Sequence, residues 1–173
     1  AAHRAPMYIE KPLAFTRAEF DKIYRIDVEL QKRSMVGFML RYHPLTDFLV
    51  NLPQQGFFLL QLEIGHDVRQ WRENWRFAES YAARAQGGGV LLDLCHEIDL
   101  IGLICPDLTL RDVTSIGHAA FPGVDIASTL SLVSDAGATG TVSMDYLSPV
   151  LKRGGSLTGV AQNITFDFVT NSA

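Results

Sequence analysis

One stretch of the sequence, Gly87 to Asp99, constrains the fold most, because it sets three acids and an imidazole into an otherwise apolar helical pattern behind a run of three glycines. The apolar residues of such a helix need a core, so the polar ones cannot all point to water. His96 lies three residues from both Asp93 and Asp99. Two nearby carboxylates favour the charged form of an imidazole and orient its ring. The pattern predicts a proton-transfer site on one helix that ends near Ile104.

The composition is that of a globular domain with a sizeable core, since 47% of the 173 residues are hydrophobic and 20% are charged. A formal net charge of -4 gives no electrostatic reason to expect a nucleic-acid partner. The only two cysteines, Cys95 and Cys105, have apolar neighbours and are predicted to be reduced thiols. No signal peptide or membrane-length apolar run is evident, so we expect no membrane partner and a cytoplasmic location.

The first half of the sequence alternates short strands with helices. The predicted elements are a strand over Met7 to Ile9, a helix from Thr16 to about Lys32, a strand over Met35 to Leu40, a short helix capped by Thr46 or Asp47, and a strand over Phe57 to Ile64. Thr16 and Glu19 form the capping-box pattern of a helix start. The segment from Trp71 to Ala85 is polar and aromatic and is predicted to be partly loop.

Beyond the glycine run and its helix, the hydrophobic period changes to that of strands. The predicted strands are Leu110 to Ala119, Asp125 to Ser134, Thr139 to Tyr146 and Gly159 to Val169, with Lys152-Arg153-Gly154-Gly155 as one of the turns between them. This pattern is typical of an antiparallel meander. Together with the helices it predicts an α+β fold, in which an open, predominantly antiparallel sheet carries helices on one face. The other face is predicted to form a homo-oligomer contact lined by Thr129, Ser131, Thr141, Ser143 and Thr165.

Three landmarks in order resemble the glucose-fructose oxidoreductase and inositol dehydrogenase (Gfo/Idh/MocA) family: Glu10-Lys11-Pro12, the segment Gly37 to Pro44, and the glycine run that leads to Asp93 and His96. The resemblance implies that residues 1–173 are a single C-terminal substrate-binding and oligomerisation domain, without the family's N-terminal nucleotide-binding domain. No Gly-x-Gly-x-x-Gly fingerprint follows a strand, so the glycine run is not predicted to cradle a pyrophosphate. NAD or NADP is therefore expected in the full-length parent and not on this chain alone.

The resemblance also implies roles for individual residues. Lys11 and His96 match catalytic positions, with His96 taking the proton of the substrate hydroxyl. Asp93 stands three residues before the histidine where many family members have four, which turns its side chain by about 100° and favours orienting the imidazole over touching substrate. The cofactor side is implied to involve Glu10, Lys11 and Pro12. The substrate pocket is implied to involve Arg41, Tyr42, His43, Tyr81, Arg84 and Asp93.

These roles imply hydride transfer between a nicotinamide and a hydroxyl of a sugar, polyol or nucleotide sugar. A non-catalytic binding or dimerisation module with the same fold is the alternative. A metal-dependent hydrolase is disfavoured and no metal site is predicted, because the acids around His96 lack the His-Glu-x-x-His arrangement. His96 could instead be a core histidine, and Asp99 a structural partner of Arg84 or of a backbone group. The aromatic side chains Trp71, Trp75 and Tyr81 fit either a sugar-stacking platform or a packed edge of the core.

Overall fold

The computed structural model describes residues 5–53, 56–71, 73–74 and 76–173. Its N-terminal segment forms a small unit of its own, made of β1 (Tyr8–Ile9), α1 (Arg17–Tyr24), α2 (Val28–Lys32) and β2 (Met35–Val36). The strands β1 and β2 pair in parallel as a sheet separate from the main one. Parallel strands need a crossover connection, which the two helices supply.

The helix start predicted at Thr16 is confirmed, but the single helix to Lys32 is wrong. The Thr16 hydroxyl accepts from the Glu19 backbone at 3.2 Å, and the Glu19 carboxylate accepts from the Thr16 backbone at 3.1 Å. The chain then leaves the helix after Tyr24, because the Asp27 carboxylate accepts from the Glu29 backbone at 2.8 Å and caps a second helix. A short acid inside a helical pattern competes for backbone donors in this way.

The strand predicted over Met35 to Leu40 is wrong beyond Val36. A 3-10 helix over Met39–Tyr42 follows, and then α3 (Pro44–Val50). Proline is favoured in the first turn of a helix, and Nδ1 of His43 caps α3 by accepting from the Leu45 backbone at 3.1 Å. His43 therefore takes the capping role that the sequence predicted for Thr46 or Asp47.

The main sheet has six strands in the order β4-β5-β6-β3-β7-β8. Its strands are β3 (Phe57–Gly65), β4 (Thr109–His118), β5 (Phe121–Val133), β6 (Thr139–Asp145), β7 (Lys152–Gly159) and β8 (Asn163–Asp167). Only β3 and β6 pair in parallel, and the other neighbours are antiparallel. The predicted α+β class with an open, predominantly antiparallel sheet is confirmed. The meander holds for β4 to β6 alone, because β3 from the first half of the chain lies between β6 and β7.

The turn predicted at Lys152 to Gly155 is wrong, since these residues begin β7. The two glycines there allow the neighbouring strands to approach closely. A Cβ on Gly154 would lie 2.2 Å from the Phe166 carbonyl oxygen, and one on Gly155 would lie 2.0 Å from the Gln61 carbonyl oxygen. Glycine in a strand often marks such a close approach of backbones.

One face of the sheet carries the core. Along β3 the predicted alternation is confirmed, because Leu60, Leu62 and Ile64 are buried while Gln61 and Glu63 are exposed. The helix α5 (His96–Ile104) packs on β3 and β6. The opposite face is open and polar, and the predicted residues Thr129, Ser131, Thr141, Ser143 and Thr165 are exposed or half-buried there. Within the described ranges, no helix is long and apolar enough to cross a membrane.

We expect Gly155→Ala to destabilise the fold by about 1–3 kcal/mol, because the added methyl has no room against the Gln61 backbone. Gly102→Ala is the matched control. Gly102 lies in α5 with open space around it, and alanine there should stabilise the fold by about 0.5–1 kcal/mol. Urea unfolding of both variants measures the difference. Equal stability of the two variants would contradict the close approach of β3 and β7.

Candidate active site

The helix predicted to carry the site is two helices. The first, α4, spans Val90–Asp93 and the second is α5, with a break at Leu94 and Cys95. Asp93 therefore ends one helix and His96 begins the next. The predicted end at Ile104 is confirmed, but the helical spacing between Asp93 and His96 does not hold across the break.

The glycine run before α4 is packed tightly against protein atoms. A Cβ on Gly88 would lie 2.4 Å from the Arg84 carbonyl oxygen, and one on Gly89 would lie 2.0 Å from Oδ1 of Asp125. Gly89 also has a positive φ of 87°, which glycine adopts without strain. The Asp125 carboxylate accepts from the Leu91 backbone at 2.9 Å. A carboxylate at this position disfavours a phosphate group, so these residues do not fit a pyrophosphate.

Asp93 is the centre of the candidate site. It is 4% exposed, and each of its carboxylate oxygens has a partner from another part of the chain. Nζ of Lys11 donates to Oδ1 at 2.9 Å and also to the Asp93 backbone oxygen. The hydroxyl of Tyr146 donates to Oδ2 at 2.9 Å and lies 3.0 Å from the Gly89 carbonyl oxygen. Asp93 thus anchors Lys11 and has no oxygen left without a partner.

Lys11 follows the parallel strand β1, and its peptide bond to Pro12 is cis. Its ammonium group has three N–H donors, and Asp93 takes two of them. The Lys11 side chain is 18% exposed, so the remaining donor is not sealed in the core. The contact joins residues 82 positions apart and connects the N-terminal unit to the helices on the main sheet.

His96 is 7% exposed, and within the described part of the chain its Nδ1 is buried without a hydrogen-bond partner. The His96 and Phe38 rings are nearly perpendicular to each other, with a centroid distance of 5.8 Å. Burial, together with the positive charges of Arg153 and Lys11, lowers the pKa of the imidazole from 6.5 to about 4. His96 is therefore neutral near pH 7 and can accept a proton.

This result corrects the sequence-based expectation that flanking carboxylates favour the charged imidazole. The acids do raise the pKa of His96, but each is paired with a cation, so burial outweighs them. Asp93 is paired with Lys11, and the Asp99 carboxylate accepts from Nε of Arg41 at 2.8 Å and from its Nη2 at 2.5 Å. The possible pairing of Asp99 with Arg84 is likewise wrong.

The other predicted substrate residues are spread more widely. Arg41 reaches the site helix through Asp99, and its guanidinium also lies 5.9 Å from the centre of the Phe38 ring. Tyr42 is 72% exposed, Tyr81 is 48% exposed and Arg84 is also exposed. Nδ1 of His43 caps α3, and the His43 ring packs on the Phe168 ring at a centroid distance of 5.0 Å. Capping occupies Nδ1 of His43, whose half-buried side chain also lines a surface cavity with Pro44, Leu45 and Asn171, and its role toward a substrate stays a prediction.

The sequence interpretation missed Tyr146. It was placed only as the end of a strand, yet it is fully buried with its hydroxyl on Asp93. Burial raises the pKa of its hydroxyl, and the charge of Asp93 raises it further, so Tyr146 stays a donor. Trp71 packs edge-on against the Tyr146 ring at 5.5 Å, as expected of a packed edge of the core. Trp75 lies outside the described residues.

Among the described residues, no group of three or more His, Cys, Asp and Glu side chains is arranged to hold a metal ion. The candidate site supplies the neutral imidazole of His96, the ammonium of Lys11 with one donor available, and the carboxylate of Asp93, which holds that ammonium. Such a set can accept a proton from a hydroxyl and stabilise negative charge on its oxygen.

We expect the fold to lose up to about 3 kcal/mol as the pH falls from 6.5 to 4, because the unfolded chain protonates His96 more readily than the folded one. The stabilising effect is fully present above pH 6.5. His96→Asn should flatten this part of the profile, whereas substitution of the exposed His118 should not. Urea midpoints measured across the pH range test this, and an unchanged slope in His96→Asn would contradict a buried neutral imidazole.

No protein-family model matches the sequence, and no curated protein matches it either. Solved structures do match. An inositol dehydrogenase homolog complexed with NAD+ from Azotobacter vinelandii superposes with a TM-score of 0.81 at 15% identity, covering 95% of this chain and 46% of that one. UDP-N-acetylglucosamine 3-dehydrogenase GnnA from Acidithiobacillus ferrooxidans gives 0.73 at 19% identity, covering 96% and 51%.

A D-galactose-1-dehydrogenase from Rhizobium etli gives a TM-score of 0.76 at 15% identity, covering 95% of this chain and 52% of that one. The chain thus spans about half the length of these neighbours. They are sugar and polyol oxidoreductases, which agrees with the resemblance predicted from the sequence. The chain has the fold of oxidoreductases of the Gfo/Idh/MocA type.

Proposed function

We propose that the chain is the substrate-binding domain of an NAD(P)-dependent oxidoreductase, which transfers hydride between a nicotinamide and a hydroxyl of a sugar, polyol or nucleotide sugar. The observation that carries the proposal is the contact of Lys11 with Asp93, at a place from which both charges act on the pKa of the neutral His96 imidazole. The solved neighbours support the same class of reaction. One of them is complexed with NADH and myo-inositol.

The position of Lys11 fits a nicotinamide cofactor. Glu10, Lys11 and Pro12 follow β1 directly, at the carboxyl end of a parallel pair, which is where ligands bind in open parallel sheets. A parallel pair of two strands is too small to stand alone, so further strands of a larger sheet are expected beside it. These three residues would face the cofactor. A bound nicotinamide would supply the acceptor or donor of the hydride.

In the proposed reaction His96 takes the proton of the substrate hydroxyl. Its Nδ1 is enclosed, so Nε2 is the ring nitrogen assigned to the substrate. A neutral imidazole is the protonation state that this step needs. The available N–H of Lys11 donates to the same substrate oxygen and stabilises its negative charge as the proton leaves. Asp93, held on its other side by Tyr146, keeps that ammonium in place.

Substrate contacts and assembly extend this proposal. We assign Tyr42, Tyr81 and Arg84 to hydroxyl or charged groups of the substrate, since their side chains are exposed. Arg41 would contact the substrate while its guanidinium stays paired with Asp99. The open polar face of the main sheet, which forms a groove of about 590 Å³ beside Glu63 and Lys152, is the surface assigned to contact a second copy of the chain.

We expect His96→Ala in the full-length parent to lower turnover by a factor of about 10² to 10⁴, because the proton acceptor is lost. The affinity for the nicotinamide nucleotide should stay largely unchanged. His118→Ala, on the exposed strand β4, serves as the control and should retain full turnover. Steady-state kinetics and nucleotide titration give both quantities. Unchanged turnover of His96→Ala would remove His96 from the chemistry, and a parent without dehydrogenase activity would leave the alternative of a non-catalytic module.

A further inference from the structure

A second buried ion pair lies beside the site and has no part in the proposed proton transfer. Glu97, the residue after His96, is 1% exposed. Nε of Arg153 donates to its Oε1 at 2.7 Å, and Nη2 donates to its Oε2 at 3.4 Å. The Arg153 side chain keeps 22% exposure, but burying the Glu97 charge costs desolvation free energy that the attraction of a pair does not always repay. The pair therefore calls for an explanation other than stability.

The cation of this pair, Arg153, belongs to a strand that is hydrogen-bonded on both sides. Arg153 belongs to β7, where it is in register with the buried Ile64 of the neighbouring strand β3. Its backbone carbonyl accepts from the Phe168 backbone at 2.8 Å, which fixes its other side. Two-point contacts from a guanidinium set orientation as well as distance. Arg153 consequently ties the first turn of α5, which holds His96, to an interior strand of the sheet.

The charged and titratable groups around His96 come from four parts of the chain. They are Lys11 after β1, Asp93 and Cys95 in and after α4, Glu97 and Asp99 in α5 itself, and Arg153 in β7. Burial raises the pKa of the Cys95 thiol to about 11, so it is uncharged near pH 7. Among the charges, that of Arg153 has the largest effect in lowering the pKa of His96. Arg153 is thus near enough to influence the imidazole by charge as well as through Glu97.

We propose that Arg153 is a positioning residue, which holds Glu97 from β7 and thereby fixes the place of the His96 ring. The proposal rests on the proposed function for its catalytic meaning, but the position of the ring can be measured without any activity. Arg153 touches neither the substrate nor the cofactor in this account. Arg153 acts on His96 through Glu97, the residue that follows it in the chain.

The double variant E97L/R153M removes both charges and keeps apolar volume, a change that buried ion pairs often tolerate without unfolding. Nuclear magnetic resonance of the imidazole protons in the 173-residue chain reports the pKa of His96. We expect the pKa to rise, since the charge of Arg153 is the largest charge effect that lowers it in the native chain. The nuclear Overhauser contacts between the His96 and Phe38 rings should weaken. R17Q/D21N removes an exposed ion pair on α1 and should change neither quantity.

R153K keeps the positive charge but loses the two-point contact. It should leave the pKa of His96 close to its original value, weaken the contacts to Phe38, and lower kcat of the full-length parent about tenfold or more with little change in KM. If E97L/R153M fails to fold, R153K alone tests the positioning role of Arg153. Unchanged ring contacts and unchanged kcat in R153K would overturn the proposal. A parent that oxidises neither sugars nor polyols would overturn the proposed function instead, while the ring contacts would still test Arg153.

Discussion

The ion pair between Lys11 and Asp93 is the contact on which the arrangement of this domain depends. It joins a small parallel unit at the start of the chain to a helix that packs on the main sheet. The Asp93 carboxylate is buried, so it needs both Lys11 and the hydroxyl of Tyr146 to satisfy its two oxygens. A buried carboxylate that lost its cation would be strongly destabilising. The same geometry leaves one N–H of the ammonium available to a ligand.

The charges around His96 explain how an imidazole among three acids remains neutral. Each acid of the site helices has a basic partner from a different segment: Lys11 for Asp93, Arg41 for Asp99 and Arg153 for Glu97. The cations of these pairs oppose the attraction that the carboxylates exert on a protonated imidazole. Burial then decides the protonation state. The resulting histidine is neutral at physiological pH, which is the protonation state that the proposed reaction needs.

Local patterns in the sequence predicted those parts of the local structure that short-range contacts decide. The capping box at Thr16 and the alternation along β3 have short-range causes, and both are confirmed. The open antiparallel sheet also follows from strand periodicity. The glycines of β7 were interpreted as a turn, because nothing in a single sequence shows that Phe166 and Gln61 approach them from neighbouring strands.

The candidate site was predictable in part. Lys11, Asp93 and His96 were selected through ordered landmarks, and Lys11 meets Asp93 in the structure while its charge reaches His96. The sequence did not predict the partners of the site acids. Tyr146 is 53 positions from Asp93, and Arg153 is 56 positions from Glu97. The protonation of His96 was predicted with the wrong sign for the same reason. Sequence spacing shows the acids of one helix but neither the distant cations that neutralise them nor the degree of burial.

The most direct test of the account is the coupling between Lys11 and Asp93. A double-mutant cycle with Lys11→Met and Asp93→Asn, measured by urea unfolding of the 173-residue chain, isolates the free energy of this contact. A coupling of about 2 kcal/mol or more is expected, because each single change leaves a buried polar group without its partner. A coupling within error of zero would show that Lys11 is not held on the site helix, and the proposed active site would then have no basis.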